Sequence, residues 1–256
     1  MNVNDSMAAG DLTARIGKLW KLSASRLVSI EKSFASQRGS PVYTVDGRYT
    51  TRDWTDWTQG FRYGSAVLQF DATGEKQFLR LGRDTILRSM AVHVTNMGVH
   101  DHGFNTMSTY GNLLRLMNEG VLRENRWERA FYELAVKCSG AVQAHRWTPA
   151  GDGGFVYSFN GPHSLFIDTI RSLRVLALAH SLGHVLHEEN DRAVSLLERL
   201  VAHARMTAKH SIFYGEGRDA YDVRGRVAQE SLFNVKNGLY RCPATQQGYS
   251  PFSTWT

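Results

Sequence analysis

The chain has 256 residues, 42% apolar and 21% charged, which is ordinary for a globular protein able to bury a substantial core. Its formal charge of +6 and pI near 9.4 fit an acidic ligand, but the basic residues form no run of five or six, which argues against a nucleic-acid arm or patch. Two cysteines without a C-x-x-C give no disulfide framework, and no apolar signal segment or membrane-length stretch is visible, so a cytoplasmic protein is expected.

Helical periodicity dominates from the first elements onward. Ile16, Leu19, Trp20, Leu27 and Ile30 recur at helical spacing and predict an amphipathic helix from Ala14 to Phe34. A polar stretch follows, with P-V-Y-T-V as a short strand. Further helices are predicted over 60–70, 75–90, 104–119, 127–145, 168–187 and 191–209. The joints are short and carry turn chemistry: D-A-T-G at 71–74, G-V-L-R-E-N at 120–125 and H-E-E-N-D at 187–191. Segment 149–164 is Gly-rich and reads as a hairpin or ordered loop, and F-N-V-K-N-G-L-Y-R-C reads as a hairpin turning at Asn237-Gly238. No fixed-period repeat is present. A closed ring of stacked helical hairpins is therefore favoured over an open solenoid, with chemistry expected in the loops of one face.

Histidines supply two candidate sites. His93, His100 and His102 surround Asp101 and could ligate a metal, but no spacing fixes them and a polar loop capping the next helix accounts for them as well. His180, His184 and His187 would share one face of a helix over 168–187, but the H-E-x-x-H pattern is absent. The Gly-rich runs at 151–154 and 214–225 lack the phosphate-cradling pattern of a P-loop, so no nucleotide cofactor is expected. Asp101 and Asp168 each stand just before a helical run, where an N-cap role explains an aspartate. Both also have aromatic or apolar neighbours. Burial raises a carboxyl pKa toward the general-acid range, while a helix N-terminus lowers it.

Four motifs, W-T-Q-G-F-R-Y-G (57–64), V-H-D-H-G-F (99–104), F-I-D-T-I-R-S-L (166–173) and A-T-Q-Q-G-Y-S (244–250), occur in the order seen in unsaturated glucuronyl hydrolases of glycoside hydrolase family 88, which the chain resembles from about Trp57 onward. The unsaturated rhamnogalacturonyl hydrolases are less similar, chiefly at H-D-x-G-F. The resemblance implies an all-α (α/α)6 barrel, a six-hairpin toroid, as a single catalytic domain over 1–256 that stops before the family's last helices. It implies removal of a 4,5-unsaturated uronic acid from the non-reducing end of a lyase-generated, glycosaminoglycan-type oligosaccharide, with no cofactor and no metal. By the same resemblance Asp168 is the proton donor, Asp101 its essential partner and Trp57 the stacking platform. Thr245 and Gln247 lie in a binding loop, and Gln229 stands where many members have a histidine. The family's carboxylate-holding Arg-Gly falls beyond Thr256, so the 256 residues alone are expected to be inactive. The competing expectations are a catalytically silent carbohydrate-binding or interaction protein of helical hairpins, and an unsaturated rhamnogalacturonyl hydrolase.

Overall fold

The computed structural model describes residues 8–34, 40–51, 55–151, 153–220 and 222–245. The chain divides into two compact units, Met1–Ser89 and Met90–Thr256. In the first, a 3-10 turn at Ala9–Leu12 leads into α1 (Thr13–Phe34). A hairpin of β1 (Tyr43–Val45) and β2 (Arg48–Thr50) turns at Asp46-Gly47, the residue pair that two-residue hairpins favour. A second 3-10 turn, Thr55–Thr58, opens α2 (Gln59–Thr73), which pairs with α3 (Lys76–Ser89). Tyr63, Ala66, Val67 and Phe70 of α2 and Phe78 and Ile86 of α3 are the buried apolar residues of this hairpin. The spacing of two turns between Phe78 and Ile86 puts both on one face, as the periodicity requires.

The second unit begins with α4 (Ala91–Thr95) and α5 (His102–Thr106). A π-helical turn, Met107–Gly111, carries α5 into α6 (Asn112–Asn118). Then come α7 (Arg126–His145), the hairpin β3 (Trp147–Ala150) and β4 (Gly153–Val156), and β5 (Ser164–Phe166). Residues 167–173 form a 3-10 segment that runs into α8 (Arg174–Ser181). A hairpin of β6 (Leu186–Glu188) and β7 (Arg192–Val194) precedes α9 (Leu196–Ser211). Finally β8 (Glu230–Phe233) pairs with both β5 and β9 (Tyr240–Ala244) in an antiparallel sheet of order β5-β8-β9.

Caps set several of these boundaries. The Asn125 side chain accepts from the backbone N–H groups of Trp127 and Glu128, and the Ser195 hydroxyl accepts from that of Glu198. Each satisfies donors that a helix start leaves unpaired. Val136, Ala144, Val175, Leu176, Ala179 and Leu196 then bury a common core between α7, α8 and α9. A smaller cluster of Phe155, Leu165, Met206 and Phe233 seats the three-stranded sheet against α9. Among the described residues no helix is long and apolar enough to cross a membrane.

Two expectations need correction. The helix expected over 168–187 ends at Ser181, because Gly183 takes a left-handed φ of 74° and the His184 N–H returns to the Ala179 carbonyl. His180 is therefore helical, His184 lies in the turn and His187 on β6, and the three do not share a helix face. The helix expected from 191 begins at Leu196. The residues before it form the β6–β7 hairpin, whose turn uses Asn190 and Asp191 at φ 60° and 57°. Asn and Asp tolerate that region better than most residues.

Candidate acid site

Asp101 and Asp168 lie 67 positions apart in sequence and come together in the second unit. Ligand-capable atoms of His100, Asp101 and Asp168 all lie within 4.8 Å of one another. Asp101 sits at the start of α5 without a side-chain capping bond, and Asp168 sits inside the 3-10 segment, whose N-cap position is Phe166. Helix capping therefore does not account for either carboxylate.

Two local features bring the pair together. Ile167 N–H donates to the Gln229 carbonyl at 2.9 Å, which extends the β5–β8 pairing to the residue before Asp168. On the other side, Gly103 lets α5 approach the 3-10 segment. A Cβ at Gly103 would stand 2.5 Å from the Ser172 carbonyl oxygen and 2.8 Å from its Cβ. Ser172 Oγ also donates to the His100 carbonyl at 2.7 Å. Gly103→Ala is accordingly expected to lower unfolding free energy by about 1–3 kcal/mol, read by urea denaturation, because backbone has to shift to admit the methyl. Stability equal to the parent would contradict the close approach.

His100 connects the acids. Its Nε2 lies 2.9 Å from Asp168 Oδ1 and 3.7 Å from Asp101 Oδ1. The backbone N–H of Phe159 donates to Nδ1 at 3.2 Å. That bond assigns the lone pair to Nδ1 and the ring proton to Nε2, so a neutral His100 donates to Asp168. Phe159 stacks on the imidazole at 5.8 Å between ring centres, and Phe166 flanks it at 5.9 Å. Arg171 supplies the charge: Nη2 is 2.7 Å from Asp168 Oδ2 and 3.5 Å from Asp101 Oδ1, and the guanidinium lies 4.1 Å over the Phe104 ring.

These surroundings push the two acids apart. Burial raises the Asp101 pKa, helped by Asp168 and opposed by His100, Arg171 and Arg146. Burial acts to raise Asp168 too, but the His100 hydrogen bond and the Arg171 guanidinium outweigh it and hold that carboxyl below its ordinary value. Exposure agrees, with the Asp101 side chain at 10% and that of Asp168 at 33%. Of the two, Asp101 is therefore the carboxyl that takes up a proton first as pH falls, and the more accessible Asp168 the one that stays ionised longer.

His100, Asp101 and Asp168 are also the set that could hold a metal ion. Their chemistry here suits a salt-bridged pair better. Arg171 already contacts both carboxylates, and His100 presents a proton to Asp168 where a ligand would present a lone pair. His93 and His102 turn elsewhere: their Nδ1 atoms face each other at 3.1 Å, both rings are buried, and burial pulls the His102 pKa down to about 3.

Behind the pair lies Arg146, only 2% exposed. It donates to the carbonyls of Met97, Tyr157 (Nη2 at 3.1 Å) and Ser158 (2.8 Å) and lies 4.3 Å over the Tyr157 ring. It thus joins the loop before His100 to the loop that carries Phe159. Arg146→Gln leaves carbonyls without their donors, at an expected cost of about 1–3 kcal/mol in a urea titration. A cost below about 0.5 kcal/mol would show that these loops hold without it.

The other sequence candidates are placed as follows. Gln229 and Thr245 are hydrogen-bonded to each other through their side chains, in the same sheet that positions Asp168. Gln247 lies outside the described residues. Trp57 belongs to the first unit, where it stands edge-on to Phe61 at 6.4 Å and lines a cavity of about 350 Å³ with Leu27, Ile30 and Tyr63. Sequence reasoning missed Arg146 and Arg171 altogether. Arg171 had a signal, since it follows Asp168 by three residues, the spacing of a helical ion pair. Arg146 had none, because its hydrogen-bond partners are backbone carbonyls.

No protein-family model matches the chain, and no curated protein matches it in sequence. Solved structures do. The unsaturated glucuronyl hydrolase from Streptococcus agalactiae matches with a TM-score of 0.69 at 17% identity, over 92% of this chain and 54% of that one. The unsaturated glucuronyl hydrolase from Bacillus sp. GL1, described as responsible for the degradation of glycosaminoglycan, matches at 0.60 and 19%, over 89% and 56%. A UGL variant with dGlcA-Glc-Rha-Glc matches at 0.62 and 19%, over 90% and 54%. The chain spans about half the length of these structures. At such identities the likeness shows the fold, which is the mostly helical α/α toroid type expected from the sequence.

Proposed function

We propose that Asp101 and Asp168 are the acid pair of a hydrolase that removes a 4,5-unsaturated uronic acid from the non-reducing end of an oligosaccharide. The observation that carries this reading is the carboxylate pair itself. Its polar atoms lie within 4.8 Å, it is bridged by His100 and Arg171, and it sits in a chain with the fold of unsaturated glucuronyl hydrolases. The name of the Bacillus relative supports a glycosaminoglycan-type substrate.

The chemistry asks for one proton and one water. A neutral carboxylic acid protonates C4 of the vinyl ether, and positive charge develops at C5 and the ring oxygen. Water adds at C5 and gives up a proton to the carboxylate just formed. The resulting hemiketal opens and releases the neighbouring sugar. Asp168, the more exposed acid, is the group that reaches the ring. Asp101, whose pKa burial raises, holds a proton more readily than Asp168 while the site is empty, and two carboxylates at so short a distance disfavour ionising both. Gln229 and Thr245, joined through their side chains, are assigned to substrate binding, and Trp57 and Gln247 are assigned to it by the resemblance of their motifs alone.

The test is turnover of an unsaturated glucuronyl disaccharide by the protein at its full natural length, read as loss of the C4=C5 absorbance. Turnover supports the reading. Saturable binding of the disaccharide without turnover would replace the enzyme with a carbohydrate-binding protein.

A further inference from the structure

A buried carboxylate stands one residue from the backbone contact that seats Asp168. Glu230 on β8 is 2% exposed and lies opposite Phe166 of β5. Among the described residues it has no ion pair, and both of its side-chain hydrogen bonds end on one oxygen. Asn160 Nδ2 donates to Oε1 at 2.8 Å, and the Ser164 hydroxyl donates to the same atom. A pair of apolar side chains could close this turn without burying an acid.

That one oxygen orients a whole loop. Residues 158–164 turn back on themselves, with the Ser158 N–H on the Ser164 carbonyl at 3.0 Å. The single hydroxyl proton of Ser164 is committed to Glu230, so in the 2.6 Å contact between the two serines Ser158 is the donor. The Asn160 N–H in turn donates to Ser158 Oγ at 3.1 Å. Donors from Asn160, Ser158 and Ser164 thus run one way and stop at one carboxylate. Phe159 sits inside this chain, and its N–H is the one that meets His100 Nδ1 at 3.2 Å. Two neighbouring residues of the β8 strand therefore serve both partners of the His100–Asp168 bond. Gln229 holds Ile167 through its carbonyl, and Glu230 holds the loop that meets His100.

We propose that Glu230 is a positioning residue of the acid site, whose carboxylate fixes the Phe159 N–H on His100 Nδ1 and so selects the imidazole tautomer that donates to Asp168. The proposal rests on the hydrolase reading above and adds a residue that lies outside all four motifs. Arg146 holds the Ser158 carbonyl, which belongs to the same peptide unit as the Phe159 N–H, and Glu230 holds the next residue, Asn160. Without that acceptor, Ser164 and Asn160 lose their common anchor, and the Phe159 amide is free to leave Nδ1. A neutral imidazole then takes either tautomer. The one protonated at Nδ1 presents a lone pair, not a proton, to Asp168.

The experiment compares Glu230→Ala, Glu230→Gln and Asn160→Ala with the parent, each at full natural length, labelled with nitrogen-15 histidine and held at a pH where the ring is neutral. In the parent the His100 signals, assigned by their loss in His100→Gln, should show Nε2 protonated and Nδ1 bare. Glu230→Ala should give a mixture of tautomers. It should also lower kcat on an unsaturated glucuronyl disaccharide by about tenfold, the worth of one hydrogen bond to a charged group, with KM within about twofold of the parent. Glu230→Gln, whose amide oxygen can accept the same two bonds, should restore a single tautomer and most of kcat. Asn160→Ala removes one of the two bonds and leaves the sheet alone. It should act in the same direction, and it decides the matter if Glu230→Ala does not fold. A His100 that keeps the parent tautomer in the folded alanine variants, or an unchanged kcat in them, overturns the assignment. The tautomer readout needs no substrate, so a parent that turns over no disaccharide sinks the hydrolase reading while the NMR still decides what Glu230 holds in place.

Discussion

Asp168→Asn is expected to lower kcat on an unsaturated glucuronyl disaccharide by about 10²–10⁴-fold, the usual worth of a positioned general acid. Asparagine keeps the shape of the side chain but has one acceptor oxygen, so it keeps the bond from either His100 or Arg171 and not both; circular dichroism should stay close to the parent, with the unfolding midpoint lowered slightly. Asp101→Asn is expected to cost a comparable factor, because it removes the other carboxyl of the coupled pair. The double variant should lose little more than either single one, since two coupled groups act as a unit. A loss below tenfold for Asp168→Asn, or multiplicative losses in the double variant, would contradict the coupled-pair account.

The second large effect is on stability. His102 and His203 are fully buried, and burial holds each pKa down to about 3 in the folded chain. The geometry explains why His203 stays neutral: its Nδ1 accepts the Val156 N–H at 3.0 Å, so a proton there would face a donor. Unfolding releases both rings to an ordinary value near 6.5. The stabilisation is therefore complete above pH 6.5 and lost as pH falls, because only the unfolded chain takes up the protons. Each ring contributes a slope of about 1.4 kcal/mol per pH unit between its two pKa values. Urea titrations at pH 7 and pH 5 should then differ by about 4 kcal/mol from these two groups. Asp101, raised by burial, acts in the opposite sense at lower pH. His203→Asn, whose Oδ1 can replace the Nδ1 acceptor, should remove about half of the slope. A stability that is flat between pH 7 and pH 5 would contradict this picture.

The helices were legible where one apolar face repeats over several turns, as in α1, α2, α3 and α7, because burial of that face fixes both the element and its extent. The hairpin of β6 and β7 was not, since three-residue strands carry too little alternation to compete with a helical pattern running through them. The stop at Gly183 was visible as a glycine but was outweighed by the apolar residues on either side. In the site, the two aspartates stood out through their motifs, whereas the partners that set their protonation did not. Phe159 acts through a backbone N–H, Arg146 through carbonyls, and Gln229 through its main chain as well as its side chain. Interactions made by the backbone leave no mark on residue type, so only the folded chain reveals them.

The most direct test of the central claim is where the proton goes. The protein at its full natural length is incubated with an unsaturated glucuronyl disaccharide in deuterium oxide, and the ring is followed by proton and deuterium NMR. The account expects the C4 alkene signal to disappear together with release of the neighbouring sugar, and one deuterium to appear at C4 of the uronate product. Release of the sugar with the C4=C5 bond intact would mean ordinary glycosidic cleavage and would contradict the hydration mechanism.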